Sequence, residues 1–293
     1  MARYNQYGTK TIVSDRVFNS FDELMTYAEG PSTLPEYSRA SRRQGERHFF
    51  GTQDFQTAMN QARYGWPDGL KAIQKLVEQI KNMVAQKAQL KSETFYSTSG
   101  ACVDVGRYVS GEPEDMLEFE MSESAGKKIF TVTLNVSASA CVDAQTLYNR
   151  GAAVIALVDL LERGGFSCEI MAIDVRERSG KLVVVRAPIK TAGYQLDQDR
   201  VAFAVASPSF LRRLLFSVNE RETPAVISEF GFHNSGGYGM PSNLPADLSD
   251  EERGVYLPSL YGQCEFSSQE GAMKWVIQEA GKVLELETET PTA

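Results

Sequence analysis

The sequence predicts an α/β fold, with an α+β arrangement as the alternative, preceded by a basic and mainly helical N-terminal region. Two observations support this prediction. Strand-like and helix-like patterns alternate between residues 128 and 218, and helical spacing of apolar residues dominates between residues 20 and 90. The chain of 293 residues is 42% hydrophobic and 23% charged, which is the composition of a folded globular protein.

Three helices are expected in the N-terminal region. Ser20 and Glu23 match the capping box, so the first helix should begin there and end near residue 28. The second is expected over residues 52–63, because a glycine and a proline follow it closely. Apolar residues at helical spacing predict the third over residues 70–90.

The pattern changes after residue 94, where β-forming residues become frequent. Two long helices are expected here, at residues 143–163 and 200–218, and a last one begins after the capping sequence Ser267-Ser268-Gln269-Glu270. Residues 96–108 are rich in β-forming and small residues, and strands are expected at residues 116–121, 128–136, 167–175 and 181–189, the last two forming a hairpin.

Residues 231–262 show little periodicity and are predicted to be loop. They include the glycine-rich loop (residues 232–241), which follows no predicted strand and is typical of a flexible loop or lid. Three regions are therefore expected: a basic, mainly helical one at residues 1–92, an α/β sandwich domain at 93–283, and an acidic, disordered tail at 284–293.

Several classes of protein are disfavoured by the composition. No apolar run approaches the 18 residues of a membrane-spanning helix, and the N-terminus has no apolar signal-peptide region, so a cytoplasmic protein is expected. The four cysteines form no CxxC pair and there are only two histidines, which disfavours zinc sites. Phosphate-binding glycine motifs are missing as well, and no cofactor is expected.

Charge is distributed unevenly along the chain. Residues 1–91 have a net charge of +4 and the remainder −12, within a total of −8. This asymmetry indicates a basic working surface on an acidic protein, although solvated faces that differ in charge by chance would give the same pattern.

The densest positive charge lies in the basic segment (residues 39–50). Its arginines can bind phosphate through both guanidinium nitrogens, and its aromatic rings can stack on unpaired bases. The alternative is a solvated loop whose two phenylalanines begin a core strand. The candidate DNA-binding residues are Arg39, Arg42, Arg43, Arg47 and Phe49 on this segment, which is expected to be a mobile loop, and Lys71, Lys75, Arg3, Tyr7 and Lys10 elsewhere in the basic third.

The order of elements across residues 128–218 resembles the von Willebrand factor A type of α/β sandwich. Metal-binding members of that class carry D-x-S-x-S after the first strand, and here Asn135-x-Ser137-x-Ser139 stands at that place. Because the asparagine removes the charge that would hold Mg²⁺, a metal-free site is expected. A metal-dependent binder that uses this loop is the alternative.

Three stretches together are similar to a family of phage proteins. They are Phe49-Phe50-Gly51-Thr52 with Tyr64-Gly65-Trp66-Pro67-Asp68-Gly69, the stretch from Gly100 to Pro113, and residues 128–176. Within this family the chain resembles the Drc-type single-stranded-DNA-binding RNA polymerase cofactors of podoviruses.

That resemblance implies a transcription cofactor that binds single-stranded DNA without strong sequence preference and recruits a phage RNA polymerase to unpaired template, in the host cytoplasm. It implies no enzymatic activity, and it carries over no residue-level binding motif. An interaction adaptor with no nucleic-acid role is the alternative. No membrane partner is expected, and the oligomeric state stays open, a homo-oligomer included.

Overall fold

The computed structural model describes residues 6–7, 10–71, 73–75, 77–79, 95–97, 102–103, 116–118, 128–194, 197–245 and 254–288. The chain divides into two compact units, of which the larger contains Met1–Ile80 and Lys128–Ala293 and the smaller contains Lys81–Lys127. Arg3 of the candidate residues lies outside the described ranges, as does the greater part of residues 80–127.

The described strands form two sheets, one in each unit. The larger unit has β1 Gln6–Tyr7, β2 Lys10–Val17, β6 Ile129–Asn135, β7 Ser167–Arg178, β8 Lys181–Lys190, β9 Met240–Pro241 and β10 Gly254–Leu257, and the smaller has β3 Phe95–Ser97, β4 Cys102–Val103 and β5 Met116–Glu118. The small sheet has the order β3-β5-β4 and is antiparallel.

The large sheet has the order β1-β2-β8-β7-β6-β10, with β9 paired to one end of β7. Strands β6, β7 and β10 are parallel, the β7–β8 hairpin reverses direction, and β2 runs parallel to β8. The mixed sheet alternates with helices along the chain, so the predicted α/β class is confirmed.

Helices occupy most of the remaining described residues of the larger unit. They are α1 Phe21–Glu29, α2 Arg47–Phe50, α3 Phe55–Tyr64, α4 Ala144–Arg163, α5 Gln198–Ala206, a π-helix Phe210–Leu215, α6 Phe216–Asn219, α7 Pro224–Phe230 and α8 Gln269–Thr288, with 3₁₀ turns at Glu36–Ser38, Ala40–Arg42 and Glu265–Ser267. Residues 67–71, 73–75 and 77–79 are also helical.

Local capping explains where the predicted helices begin. The Ser20 hydroxyl accepts a hydrogen bond from the Glu23 backbone N–H at 3.0 Å, as the capping box predicts. Asp54 caps α3 and Asp143 caps α4 through the same N3 amide contact, at 2.7 and 2.6 Å. These contacts join residues three apart, so the sequence alone specifies them.

Four strands of the large sheet, β1, β2, β9 and β10, were not expected from the sequence, and β2 and β10 are the longer ones. Strand β10 lies inside residues 231–262, predicted to be loop, and it exists because its four residues pair with β6. Strand β2 lies inside the region predicted to be mainly helical, and it pairs with β8 more than 160 residues away. Partners so distant in sequence leave no local periodicity, which is why both predictions were wrong.

The predicted domain boundaries also differ from the structure. Because β2 belongs to the large sheet, residues 1–80 form one compact unit with residues 128–293 rather than a separate region. Helix α8 continues through Thr288, five residues into the segment predicted to be a disordered tail. Residues 289–293 of that tail lie outside the described ranges.

The two faces of β7 differ because alternate side chains point to opposite sides. Ile173 and Val175 pack in one cluster with Ile12, Leu182, Val184 and Leu244. On the opposite face, Cys168 reaches toward α4, and Asp174 contacts α6 through Asn219. Helices α4 and α6 are therefore found on the Asp174 side of the sheet.

No single helix among the described residues has the length and apolarity that a membrane span requires. The pair Gln198–Ala206 and Phe210–Asn219 meets these criteria only jointly, is bent by 69°, and has nearly every side chain buried in the protein.

Candidate nucleic-acid interface

The structure sorts the ten candidate DNA-binding residues by exposure. Four of them are exposed, namely Arg43, Arg47, Lys71 and Lys75, and three are half-buried, namely Arg42, Phe49 and Lys10. Arg39 is buried. Tyr7 is described only as a backbone position in β1, and Arg3 is outside the described ranges. No hydrogen bond or ion pair joins the side chains of Arg47, Lys71 or Lys75 to a described residue. These three cations are therefore accessible to a phosphate.

The expectation that all the arginines of the basic segment lie on an exposed, mobile loop is wrong for Arg39. Its side chain is 8% exposed, and its Nε donates to Glu220 Oε2 at 2.9 Å. One Nη also donates to the Ser217 hydroxyl at 2.7 Å. A phosphate could reach this guanidinium only by breaking a buried ion pair, which is strongly unfavourable.

Arg42 and Phe49 have mainly packing contacts. The Arg42 guanidinium lies 3.5 Å from the centre of the Phe55 ring, and burial, followed by repulsion from Arg39, lowers its pKa. The ring of Phe49 lies under the Arg212 guanidinium at 4.1 Å and packs edge-on against Phe50. One face of the Phe49 ring, which was expected to stack on a base, is thus covered by an arginine of the same chain.

Lys10 is held by a carboxylate rather than free for a phosphate. Its Nζ lies 2.6 Å from Glu177 Oε2 and donates to the Ser242 hydroxyl at 3.1 Å. Arg43 has a carboxylate partner as well, Glu46 at 2.8 Å, but both side chains are more than two-fifths exposed. Exposed pairs of this kind contribute little, so the Arg43 guanidinium can exchange Glu46 for a phosphate at low cost.

A buried arginine that the sequence analysis missed organises the basic segment. Arg213 is fully buried and its guanidinium lies 4.0 Å from the centre of the Phe50 ring. Its two Nη atoms donate to five backbone carbonyls: Ser41, Arg43, Gly45, Thr52 and Gln53. Burial lowers its pKa to about 10, so it stays charged at neutral pH.

The chain from residue 41 to residue 53 therefore wraps around a fixed positive charge. Backbone carbonyls held in this way fix the path of the segment, from which Arg43 and Arg47 extend as exposed side chains. Arg212 and Arg213 interrupt an apolar run in the sequence, a signal for buried charge that could have identified them.

A surface cleft of about 490 Å³ lies between the glycine-rich loop and residues 34–43, the last five of which begin the basic segment. Leu34, Tyr37, Ser38 and Arg43 line one wall, and His233, Asn234 and Ser235 line the other. Asn234 joins the walls, because its backbone N–H donates to the Ser38 carbonyl at 2.7 Å and its side-chain amide donates to the Tyr37 carbonyl at 3.4 Å. Tyr37 is 83% exposed, the highest value among the large apolar or aromatic residues that the structure describes.

The cleft combines groups that recognise an unpaired nucleotide. An exposed tyrosine ring can stack on a base, a guanidinium can bind phosphate, and imidazole and amide groups can form hydrogen bonds. Sequence reasoning identified Arg43 and the glycine-rich loop separately. It missed Tyr37, and it missed the pairing of the two walls because about 190 residues separate one wall from the other in the sequence.

In the Asn135-x-Ser137-x-Ser139 loop, which resembles a metal site, the Asn135 and Ser137 side chains form hydrogen bonds within the protein. The Asn135 amide nitrogen, fully buried, donates to the Ser242 carbonyl at 2.7 Å and to the Tyr256 hydroxyl at 3.1 Å. The Ser137 hydroxyl donates to Asp174 Oδ1 at 2.6 Å, and Arg176 Nε donates to the same oxygen at 2.7 Å.

These contacts do not fit a divalent cation. An N–H donor points where a metal would need an oxygen ligand, and the nearby Asp174 carboxylate is neutralised by a buried arginine. Within the described ranges, no three His, Cys, Asp or Glu side chains are grouped so that they could hold a metal.

We expect Mg²⁺ to leave the stability of the protein unchanged. If the loop bound Mg²⁺ and the ion were present at a hundred times its dissociation constant, binding would add about 2.7 kcal/mol to the free energy of unfolding and raise Tm by several degrees. Asn135→Asp should lower Tm instead, because a carboxylate cannot donate to the Ser242 carbonyl that it would face. Thermal melts of both proteins with and without millimolar Mg²⁺ test this, and a clear rise in the wild-type Tm would contradict it.

Comparison with known proteins assigns the chain to a family. A family model described as a domain of unknown function, DUF7192, matches residues 7–281. The chain belongs to the DUF7192 family. The match runs from β1 into α8, so the basic segment, the large sheet and the glycine-rich loop all lie within one family domain. No curated protein and no solved structure matches the chain.

Proposed function

We propose that this DUF7192 protein binds single-stranded DNA, with little sequence preference, across the cleft between the basic segment and the glycine-rich loop. The observation that carries the proposal is the presence of the exposed Tyr37 ring and the Arg43 guanidinium on one wall of a cleft of about 490 Å³. Stacking on an aromatic ring together with backbone neutralisation is how sequence-tolerant single-strand binding is achieved.

The preference for single strands follows from the chemistry of the cleft. A base can lie against Tyr37 only when it is not stacked in a duplex. Arg43 on the cleft wall and the exposed Arg47 on the same segment would neutralise phosphates. The acidic remainder of the chain, net −12 over residues 92–293, repels a duplex more strongly than a single strand, because the duplex has the higher charge density. Arg39, Arg42 and Phe49 support the wall and are not part of the proposed contact surface.

The similarity to Drc-type cofactors extends the proposal from DNA binding to a role in phage transcription. On that similarity the protein acts in the host cytoplasm, bound to exposed template, and recruits a phage RNA polymerase. Arg43 and Tyr37 supply the DNA contact, and the polymerase contact is a separate property to be measured by co-purification on immobilised single strands.

Fluorescence anisotropy with labelled oligothymidine tests the DNA contact. The wild type should bind it more tightly than a duplex of equal length. In the Arg43→Ala, Arg47→Ala double variant the slope of log affinity against log salt should fall by about 1.4, since each neutralised phosphate of a single strand contributes about 0.7.

A matched control comes from Arg163, which is 71% exposed and pairs with Asp159 on α4. Arg163→Ala removes a surface arginine of similar environment from outside the cleft, so its affinity and slope should equal those of the wild type. Equal slopes for the double variant and for the wild type would show that the basic segment does not contact phosphate. Binding of duplex in preference to single strand would contradict the proposal as a whole.

A further inference from the structure

The two walls of the cleft share one buried carboxylate. Glu220 is fully buried and accepts hydrogen bonds from the basic segment: Arg39 Nε at 2.9 Å, Ser41 N at 2.9 Å and Ser41 Oγ at 2.5 Å. It also accepts the Tyr238 hydroxyl of the glycine-rich loop at 2.5 Å. That hydroxyl accepts in turn from the Ala40 N–H at 3.2 Å.

Tyr238 anchors the glycine-rich loop. Its side chain is 5% exposed, and its ring stacks on Phe216 with 3.9 Å between centres and 9° between planes. Its φ of +55° is in the left-handed region, unusual for a residue with a bulky side chain. Burial and the Glu220 carboxylate raise the pKa of its hydroxyl, which therefore remains a hydrogen-bond donor at physiological pH.

The glycines beside Tyr238 allow the loop to turn back on itself. Gly231 and Gly239 have φ of +68° and +67°, and Gly236 approaches the Gly231 carbonyl so closely that a Cβ there would lie 1.9 Å from the oxygen. This backbone path places His233 and Asn234 in the cleft wall while Tyr238 points inward to Glu220.

We infer that Tyr238 is a positioning residue whose hydroxyl, through Glu220, sets the spacing between the two walls of the cleft. No other described side chain of the glycine-rich loop bonds to this carboxylate. The spacing part of the inference stands on the contacts alone. Its consequence, the fit of an unpaired nucleotide between Tyr37 and Asn234, rests on the proposed function.

Tyr238→Phe tests the inference, with Tyr256→Phe as the matched control. The Tyr256 hydroxyl is also hydrogen-bonded, to Asn135 and to the Leu244 N–H, but it touches neither wall. Hydrogen exchange followed by mass spectrometry should be faster over residues 36–45 and 232–240 in Tyr238→Phe alone. Exchange in α4 should be the same in both variants and the wild type.

Oligothymidine binding gives a readout that a general loss of stability would not reproduce. Tyr238→Phe should weaken binding about 3- to 10-fold, as expected for one lost hydrogen bond. The salt slope should stay at the wild-type value, because no phosphate contact has been removed. Tyr256→Phe should change neither quantity. If Tyr238→Phe does not fold, Ser41→Ala removes a donor to Glu220 from the opposite wall and should have the same effects.

The outcomes separate the two claims. Faster exchange in both walls with weaker binding at an unchanged slope supports the inference. Unchanged exchange in the walls overturns it whatever the DNA result, and faster exchange with wild-type affinity overturns the positioning role. A wild type that binds no oligothymidine overturns the proposed function and the named ligand, while the exchange data still decide the spacing.

Discussion

Arg213→Met is expected to lower the free energy of unfolding by about 3 to 5 kcal/mol, one of the two largest effects predicted for this protein. Methionine fills much of the arginine volume but offers no donor, so the five backbone carbonyls would lose their hydrogen bonds to the guanidinium. Two of these bonds, to the Ser41 and Thr52 carbonyls, are buried, and their loss leaves buried acceptors without that donor. The ring of Phe50 would also lose the cation above it.

Chemical denaturation monitored by circular dichroism gives this difference directly. The corresponding fall in Tm is roughly 10 °C for a domain of this size. Arg163→Met, on the exposed surface of α4, is the control and should stay within about 0.5 kcal/mol of the wild type. A loss below about 1 kcal/mol in Arg213→Met would show that residues 41–53 hold their path without the buried charge.

Tyr37→Ala is expected to weaken oligothymidine binding by roughly 5- to 100-fold, because base–aromatic stacking contributes about 1 to 3 kcal/mol per base. Tyr37 is 83% exposed and is not in contact with another described aromatic ring, so its removal should leave Tm nearly unchanged. Tyr37→Phe keeps the stacking face and should bind within about twofold of the wild type.

Tyr64 supplies the control for this experiment. It is 82% exposed, at the end of α3, and does not line the cleft. Tyr64→Ala should therefore bind as the wild type does. If Tyr37→Ala and Tyr64→Ala weaken binding equally, the cleft is not the place where bases stack, and the proposed contact surface must be redrawn.

Together these variants distinguish three contributions within one small region. Arg213 holds the backbone of the basic segment, Tyr37 provides a stacking surface, and Arg43 and Arg47 provide charge. Loss of Arg213 should lower the free energy of unfolding, and loss of Tyr37 should weaken DNA binding at an unchanged salt slope. Loss of Arg43 and Arg47 should reduce the salt slope itself. In this region, therefore, one set of side chains supports the cleft wall and a different set contacts the DNA.

The comparison of Arg39 with Arg43 shows why sequence reasoning could not sort the arginines. The two lie four residues apart in the same polar, glycine-containing stretch, and nothing local distinguishes them. Their environments differ because Glu220, 181 positions from Arg39, is buried beneath one and not beneath the other. A charge partner at that separation has no sequence signature, so burial of Arg39 could be learned only from the folded chain.

The sequence by itself determined those features that depend on neighbours within one or two helical turns. The Ser20 cap of α1 and the extent of α4 result from such short-range contacts, as does the β7–β8 hairpin. The order of strand-like and helix-like patterns also determined the class of fold, because alternating strands and helices can bury their apolar faces in few ways.

Only the tertiary structure decided which surfaces came together. It placed β2 and β10 in the large sheet, brought Tyr37 opposite His233, and enclosed the Arg213 guanidinium in backbone carbonyls. The physical reason is the same in each case. These contacts are stabilised by burial and by hydrogen bonds between residues more than a hundred positions apart, and such contacts form only when the whole core packs.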